Sequence, residues 1–460
     1  IILGIVALFV INTIASFLYG RFDLTEDKRY TLSEPAIASV ADFENPVIVD
    51  VLLAGDLPAE FVKLQTETKQ ILEEFASKNS NIKFSFVDPL EGAEQPDAVI
   101  AELQKLGLTP ANVTIEEQGK VSQEMVFPWV MINHNNKTVR APLLKNKLGA
   151  STEERVTNSI QHLEYTFADA FTKLGLTDKK RIAVLKGNGE VDDIYLADYL
   201  TTIREYYNIG AVTLDSVASN AENTLKELQK FDLALIAKPT EAFTDAEKYV
   251  LDQYIVHGGK SIWLMDQVAM EMDSIFKGEG KALSFPRDLN LKDFFFRYGV
   301  RINPNLVKDI YCTQIVLASG DGNNSQYQPL PWQYNPMVFS HNDHPINNNL
   351  EALRFQFANS IDVLENDYNK TVLYYSSPLS TVVGAPNIVS LENIGQSSKK
   401  ENYNKGNQPL AVLIEGEFSS AFKNRVNPID LKNRKEQGGA NKMLVIADGD
   451  IASNQIKNGR

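Results

Sequence analysis

The chain has 460 residues, a formal charge of −14, 43% hydrophobic and 23% charged residues. At roughly 150 residues per domain, that length holds two or three domains with ordinary cores. The acidic balance disfavours nucleic acid and anionic lipid surfaces, which both need clustered Lys and Arg, and the single cysteine, Cys312, excludes an internal disulfide and any CxxC zinc or redox motif.

Residues 1–20 (IILGIVALFVINTIASFLYG) carry no charge. At about 1.5 Å per residue they make a helix of about 30 Å, the hydrocarbon thickness of a bilayer. Tyr19 and Arg21 stand where an interfacial aromatic and a snorkelling cation belong. A cleaved signal peptide needs a shorter apolar run and a small-x-small cleavage site, and neither is evident around residues 15–19. The segment is read as a transmembrane anchor. Because Ile1 already lies inside the apolar run, further chain is expected upstream.

After a polar connector, Ser33 followed by Pro35 reads as an N-cap and first turn of a short helix. Residues 47–53 read as a buried strand. Residues 57–79 have helical spacing, with Phe61, Leu64, Thr68, Ile71, Leu72 and Phe75 on one face. Residues 82–87 alternate as a strand, so strand, helix and strand form a βαβ unit. A helix over 98–106 ends at Gly107, and strands follow at 113–116, 124–132 and 138–141. This order is compatible with a thioredoxin-like α/β domain over residues 21–150, without the redox dithiol. Residues 151–174 read as one helix, capped by Ser151 or Thr152 and stopped by Gly175, which links the domains over residues 151–178.

From Arg181 the alternation restarts: strand RIAVLK, a helix near 195–206, strand AVTLD, a helix at 223–230 and strand DLALIA. A helix at 245–256 and strand SIWLM follow. The pattern predicts a doubly wound parallel sheet, within a second domain over residues 179–460. Residues 266–348 look irregular, rich in Gly, Asn and Pro, and are expected to form a loop-rich insertion. Strands return at 372–375, 410–415 and 443–447.

Candidate chemistry is sparse. Gly187, Asn188, Gly189 and Glu190 follow a buried strand, where glycines can present backbone N–H groups to an anion; a plain tight turn is the preferred reading. Gly258, Gly259, Lys260 and Ser261 imitate the end of a Walker A loop. They join helix to strand, whereas a P-loop joins strand to helix, so a glycine cap and turn is expected. His341 and His344 have metal-ligand spacing without a third ligand in view. Asp448 and Asp450 follow the last strand and are conceivable as a divalent-ion site, though turn formation and capping are preferred. There is no GxSxG elbow, and Cys312 is expected to pack in a strand. Trp332 and Tyr334, in the aromatic stretch YQPLPWQY, either stack on sugar rings, grip a protein partner, or plug a loop over the sheet. No catalytic residue, cofactor or metal is assigned.

Five stretches carry a resemblance: RFDLTEDKRYTLSEPA at 21–36, LKGNGE at 185–190, HGGKSIWLMD at 257–266, DHPINNNL at 343–350 and IADGDIASNQ at 446–455. Together they resemble the gliding-motility ABC transporter auxiliary family, GldG, of Bacteroidetes, within the wider ABC-2-type transporter auxiliary group. That family's turn usually reads Gly-His-Gly-Glu, and Asn188 replaces the histidine here. The second domain also looks like a degenerate class I glutamine-amidotransferase fold without the nucleophilic cysteine. The resemblance implies an inner-membrane anchor with the bulk of the chain in the periplasm, and a second membrane helix after the last strand. It further implies partnership with an ABC permease and a cytoplasmic ATPase, in the setting of gliding motility and type 9 secretion. A non-enzymatic accessory subunit is therefore expected. The alternatives are a membrane-anchored periplasmic binding protein for a peptide or glycan, and a hydrolase using a metal at Asp448 and Asp450.

Overall fold

A computed structural model describes residues 32–117, 120–145, 150–319, 326–348, 350–392, 394 and 399–456. The anchor expected over residues 1–20 lies outside the described residues. Among the described residues, no helix is long and apolar enough to cross a membrane. The chain divides into two compact units, residues 1–178 and 179–460.

In the first unit, Ser33 caps α1 (Glu34–Ala41), its Oγ accepting from the Ala36 N–H at 3.4 Å. There follow β1 (Val47–Val51), α2 (Ala59–Lys78), β2 (Ile82–Phe86), α3 (Pro96–Lys105), β3 (Ala111–Glu117), β4 (Lys120–Val126), β5 (Trp129–His134) and β6 (Lys137–Pro142). The main sheet runs β2-β1-β5-β6, with β1 and β2 parallel and β5 and β6 antiparallel to their neighbours. Alternation puts Val47, Val49 and Val51 in the core, and the α2 face read from the sequence is the face that is buried.

Two expectations change. The strand expected over 124–132 is two strands separated at Pro128, where the ladder loses a donor. Its first part pairs with β3 as a separate ribbon. The single helix expected over 151–174 is also two, α4 (Thr152–Ile160) and α5 (Leu163–Gly175). Ser151 and Glu154 form a capping box on α4. Both helices join this unit's core, where Phe167 and Phe171 pack against Phe75 at 6.3 and 5.1 Å between ring centres.

The second unit is built on β7 (Arg181–Lys186), α6 (Ala197–Arg204), β8 (Asn208–Thr213), α7 (Val217–Leu228), β9 (Leu233–Ala237), α8 (Asp245–Val256) and β10 (Lys260–Leu264). Residues 266–348, expected to be loop-rich, are instead largely regular. They hold α9 (Met272–Lys277), α10 (Lys292–Tyr298), the short strands Val268–Ala269, Lys281–Pro286, Val300–Ile302 and Asn305–Asp309, and the long pair β11 (Cys312–Ser319) and β12 (Gln326–Val338). The strands β13 (Asn369–Tyr375), β14 (Pro409–Ser419) and β15 (Gln437–Ile446) complete the sheet, in the order β13-β14-β15-β10-β9-β7-β8. From β8 to β15 neighbouring strands are parallel; β14 and β13 are antiparallel.

Strand alternation sorts the core into two layers. Ala183, Leu185, Ile236 and Trp263 face α7, α8 and α10, while Val184, Leu235 and Leu264 face α6. At the antiparallel edge, the Asn342 and Asn347 side-chain amides donate to the carbonyls of Val372 and Leu373 at 2.9 and 2.7 Å.

Candidate functional site

In an open parallel sheet, ligands bind where the strand order reverses, outside the carboxyl ends of the strands. Here the reversal falls between β7 and β9, the strands that lead into Gly187–Glu190 and into residues 238–241. The two loops are bonded to each other. The Asn188 carbonyl accepts from the N–H groups of Thr240 and Glu241 at 3.0 and 2.9 Å. The Thr240 hydroxyl donates to the Gly189 carbonyl at 2.8 Å. The Asn188 N–H donates to the Glu190 carboxylate at 2.8 Å, and the Asn188 amide donates to Glu247 at 3.2 Å.

The glycines permit this. Gly187 and Gly189 have φ of +116° and +68°, and a Cβ on Gly189 would lie 2.2 Å from the Thr240 hydroxyl. The backbone donor at Asn188 that an anion would need is thus used inside the turn. Burial raises the Glu190 carboxyl above its usual range. Its Oε1 and Asn188 Oδ1 are buried acceptors without a donor among the described residues.

The carboxyl ends of β9, β10 and β15 converge on Lys238, which is 7% exposed and left-handed at φ +52°. Its ammonium lies 2.6 Å from Asp450, 2.8 Å from Glu271 and 3.7 Å from Asp266. Asp266 also accepts from the Gly449 N–H at 2.7 Å. Asp448, fully buried, accepts from the Asp450 N–H at 2.8 Å and the Gln356 N–H at 2.6 Å. Arg287 approaches Glu271 at 4.0 Å, and Arg354 donates to the Gln356 side chain at 2.6 Å. A Cβ on Gly449 would fall 2.6 Å from Lys238 Cγ, so only glycine lets the Asp448-Gly449-Asp450 turn close on the lysine.

Burial opposes the Lys238 charge, but Asp266, Asp450 and Glu271 more than offset it, and its pKa rises. Burial, then the Asp450 charge, pushes the Asp266 carboxyl up to about 7. Burial, with Asp266 and Asp450 beside it, pushes Asp448 well above its usual range. Asp450 therefore sits beside a lysine, and Asp448 beside Asp266 and Asp450. Among the described residues no group of three or more His, Cys, Asp or Glu is arranged to hold a metal ion.

The remaining sequence candidates are elsewhere. Trp332 and Tyr334 are 3% and 7% exposed, packed ring against ring at 5.2 Å in a core with Ile275, Leu306 and Phe357. They do not offer faces to a sugar or a partner, which corrects that reading. The Gly258-Gly259 pair caps α8: Gly258 has φ +105°, and the Gly259 N–H donates to the Tyr254 carbonyl at 3.0 Å. Cys312 lies in β11, half-buried, and burial pushes its thiol up to about 11. His344 accepts from the Ile346 N–H at 3.2 Å, and His341 lies 5.5 Å from the Tyr375 ring. An apolar recess of about 300 Å³ opens there, lined by Tyr311, Met337, Phe339, His341, Tyr375 and Leu379 among others.

Sequence reasoning missed Lys238, Asp266, Glu271 and Arg287. The available signal was positional, since Lys238 and Asp266 each come one or two residues after an apolar parallel strand, as Asp448 does.

Fold and site together define a mixed α/β protein whose strand-end crevice is occupied by its own loops and charges. The chain belongs to the family described as ABC-type uncharacterized transport system, which matches residues 179–460. That auxiliary family supports an accessory role in an ABC transport system. A family described only as a domain of unknown function matches residues 26–133. No curated protein matches. Among solved structures, one titled "mmIFT52 N-terminal domain" is similar at 14% identity and a TM-score of 0.35, covering 60% of this chain and 89% of that one.

Proposed function

We propose that the chain is a non-enzymatic accessory subunit of an ABC transporter, anchored in the inner membrane by residues 1–20 with its bulk in the periplasm. Its partners are a permease and a cytoplasmic ATPase, and its setting is that of the gliding-motility GldG family and type 9 secretion. The observation that carries the non-enzymatic reading is the filled crevice. Asn188 binds the 238–241 loop, Lys238 binds three carboxylates, and neither group is left to polarise a substrate. The strand order β2-β1-β5-β6 supports a thioredoxin-like first domain, and the parallel order β8-β7-β9-β10-β15 supports a glutamine-amidotransferase-like second one. Cys312, the sole thiol, stands on β11 rather than after a parallel strand.

Association would run mainly through the anchor, whose polar residues Asn12, Thr13 and Ser16 would face other helices. Hydrogen bonds between membrane helices contribute about 0.6 to 2 kcal/mol each, so single substitutions weaken the complex and a polyleucine anchor abolishes it. Pull-down of the full chain from native membranes should recover permease and ATPase. Recovery of neither would sink the accessory reading, and equal recovery with the polyleucine anchor would move the contact to the folded units. A binding protein for a peptide or glycan is the second reading, favoured by the recess at Tyr311, Phe339 and Tyr375. Substituting Phe339→Asp would then remove ligand binding and leave the pull-down intact.

A further inference from the structure

The charges at the carboxyl ends of β9, β10 and β15 do not balance. Asp266, Glu271, Asp448 and Asp450 face Lys238, Arg287 and Arg354, so the cluster carries one negative charge too many if every group is ionised. Glu271, 40% exposed, is hydrated, whereas Asp266 and Asp448 are removed from water. Two carboxylates sharing a dry site cannot both ionise cheaply, and the inexpensive remedy is a proton on one of them.

The same carboxylates hold the surrounding backbone. Asp448 takes the Gln356 N–H and Asp266 takes the Gly449 N–H. Three residues on from Gln356, Asn359 accepts from the Gln267 N–H at 2.6 Å, and its own N–H donates to the Ala447 carbonyl at 2.9 Å. Residues 266–267, 356–359 and 447–450 are therefore one hydrogen-bonded set, with Phe355 and Phe357 anchoring the middle segment in two different cores.

We propose that Asp266 and Asp448 together retain one proton at neutral pH, and that its loss loosens the 356–359 segment from the 448–450 turn, making the cluster a proton-sensitive latch on the second unit. The groups that face the pair are those named: Lys238 after β9, Glu271 at the start of α9, Arg287 after the strand Lys281–Pro286, Arg354 before Gln356, and Asp450. Lys238, held charged by the carboxylates around it, keeps its proton as the carboxyl pair changes state. The rise of the Asp266 carboxyl to about 7 agrees with this charge count.

The test is amide hydrogen exchange on the full chain between pH 6 and 8, corrected for intrinsic exchange. Protection of the Gln356, Gly449 and Asp450 amides should fall by about tenfold over that range, following the release of one proton. Asp266→Asn fixes the site in its neutral form and should flatten the dependence. Asp448→Asn gives the same readout should the first variant fail to fold. Asp252→Asn removes a buried carboxyl elsewhere in the unit and should leave the slope unchanged. Constant protection in the wild type would overturn the latch, as would a wild-type slope in Asp266→Asn or a flattened one in Asp252→Asn.

Discussion

Asp252, in the middle of α8, is fully buried and ties three segments together. Its carboxylate accepts from the Tyr298 hydroxyl of α10 at 3.1 Å, the Ser420 hydroxyl at 2.5 Å and the Ala421 N–H at 2.7 Å. Replacing it with alanine leaves those three donors facing a small void. The two hydroxyls can rotate away, but the Ala421 N–H cannot. A buried donor left unpaired costs about 1–3 kcal/mol. Asp252→Ala should therefore destabilise the second unit by about 1–3 kcal/mol. Asp252→Asn keeps an oxygen for Ala421 and Tyr298 and turns its amide toward Ser420, whose hydroxyl can accept, so its cost should be about 1 kcal/mol. The three tryptophans are Trp129, Trp263 and Trp332. In a Trp129→Phe background, urea unfolding followed by fluorescence reports the second unit alone. Equal losses for Asp252→Ala and Asp252→Asn, or a loss below about 1 kcal/mol for alanine, would refute the donor argument.

Lys238→Met should cost about 3–5 kcal/mol in the same assay, because Asp450, Glu271 and Asp266 lose their shared cation; adding Asp450→Asn should recover part of it. Trp332→Ala should cost about 3–5 kcal/mol through the cavity it leaves, whereas a surface-stacking role for Trp332 predicts no change in unfolding. The pH dependence has a definite sign. Asp252, Asp266, Asp309, Asp448 and Glu190 all have raised carboxyl pKa values in the folded state, chiefly through burial. The folded protein thus binds more protons than the unfolded one, and stability of the second unit should fall as pH rises from about 4 through about 7. Asp245 and Asp293, with lowered values, act oppositely and only below about pH 4. A midpoint in urea that rises from pH 5 to 8 would contradict the burial of these carboxyls.

The parts of the fold that were legible in the sequence are those where local pattern and tertiary role agree. The α2 face repeats at helical spacing, and the parallel strands are short apolar runs after turn residues. Thr244 and Glu247 close a capping box at the start of α8, whose limits match the expected 245–256. Residues 266–348 were opaque because, apart from the β11–β12 pair, their strands are short and several are paired at long range. Lys281–Pro286, for instance, lies against Asn387–Ser390. Trp332 and Tyr334 read as a loop because Pro329, Pro331 and Pro336 interrupt the stretch, yet β12 runs through all three. The lysine cluster was hidden for a different reason. A charged residue just after a strand reads as solvated, and only the fold reveals that Lys238, Asp266 and Asp448 come together away from water.

The asparagines at the antiparallel edge of the large sheet have a bearing on how this protein behaves in a crowded compartment. A bare outer strand such as β13 presents a row of carbonyls and amides on which any extended peptide can crystallise. The amides of Asn342 and Asn347 claim the Val372 and Leu373 carbonyls from their own chain, and Ser340 bridges Tyr374 beside them. Side chains in this way imitate a further strand that never forms, and the sheet ends there without inviting a stranger to extend it.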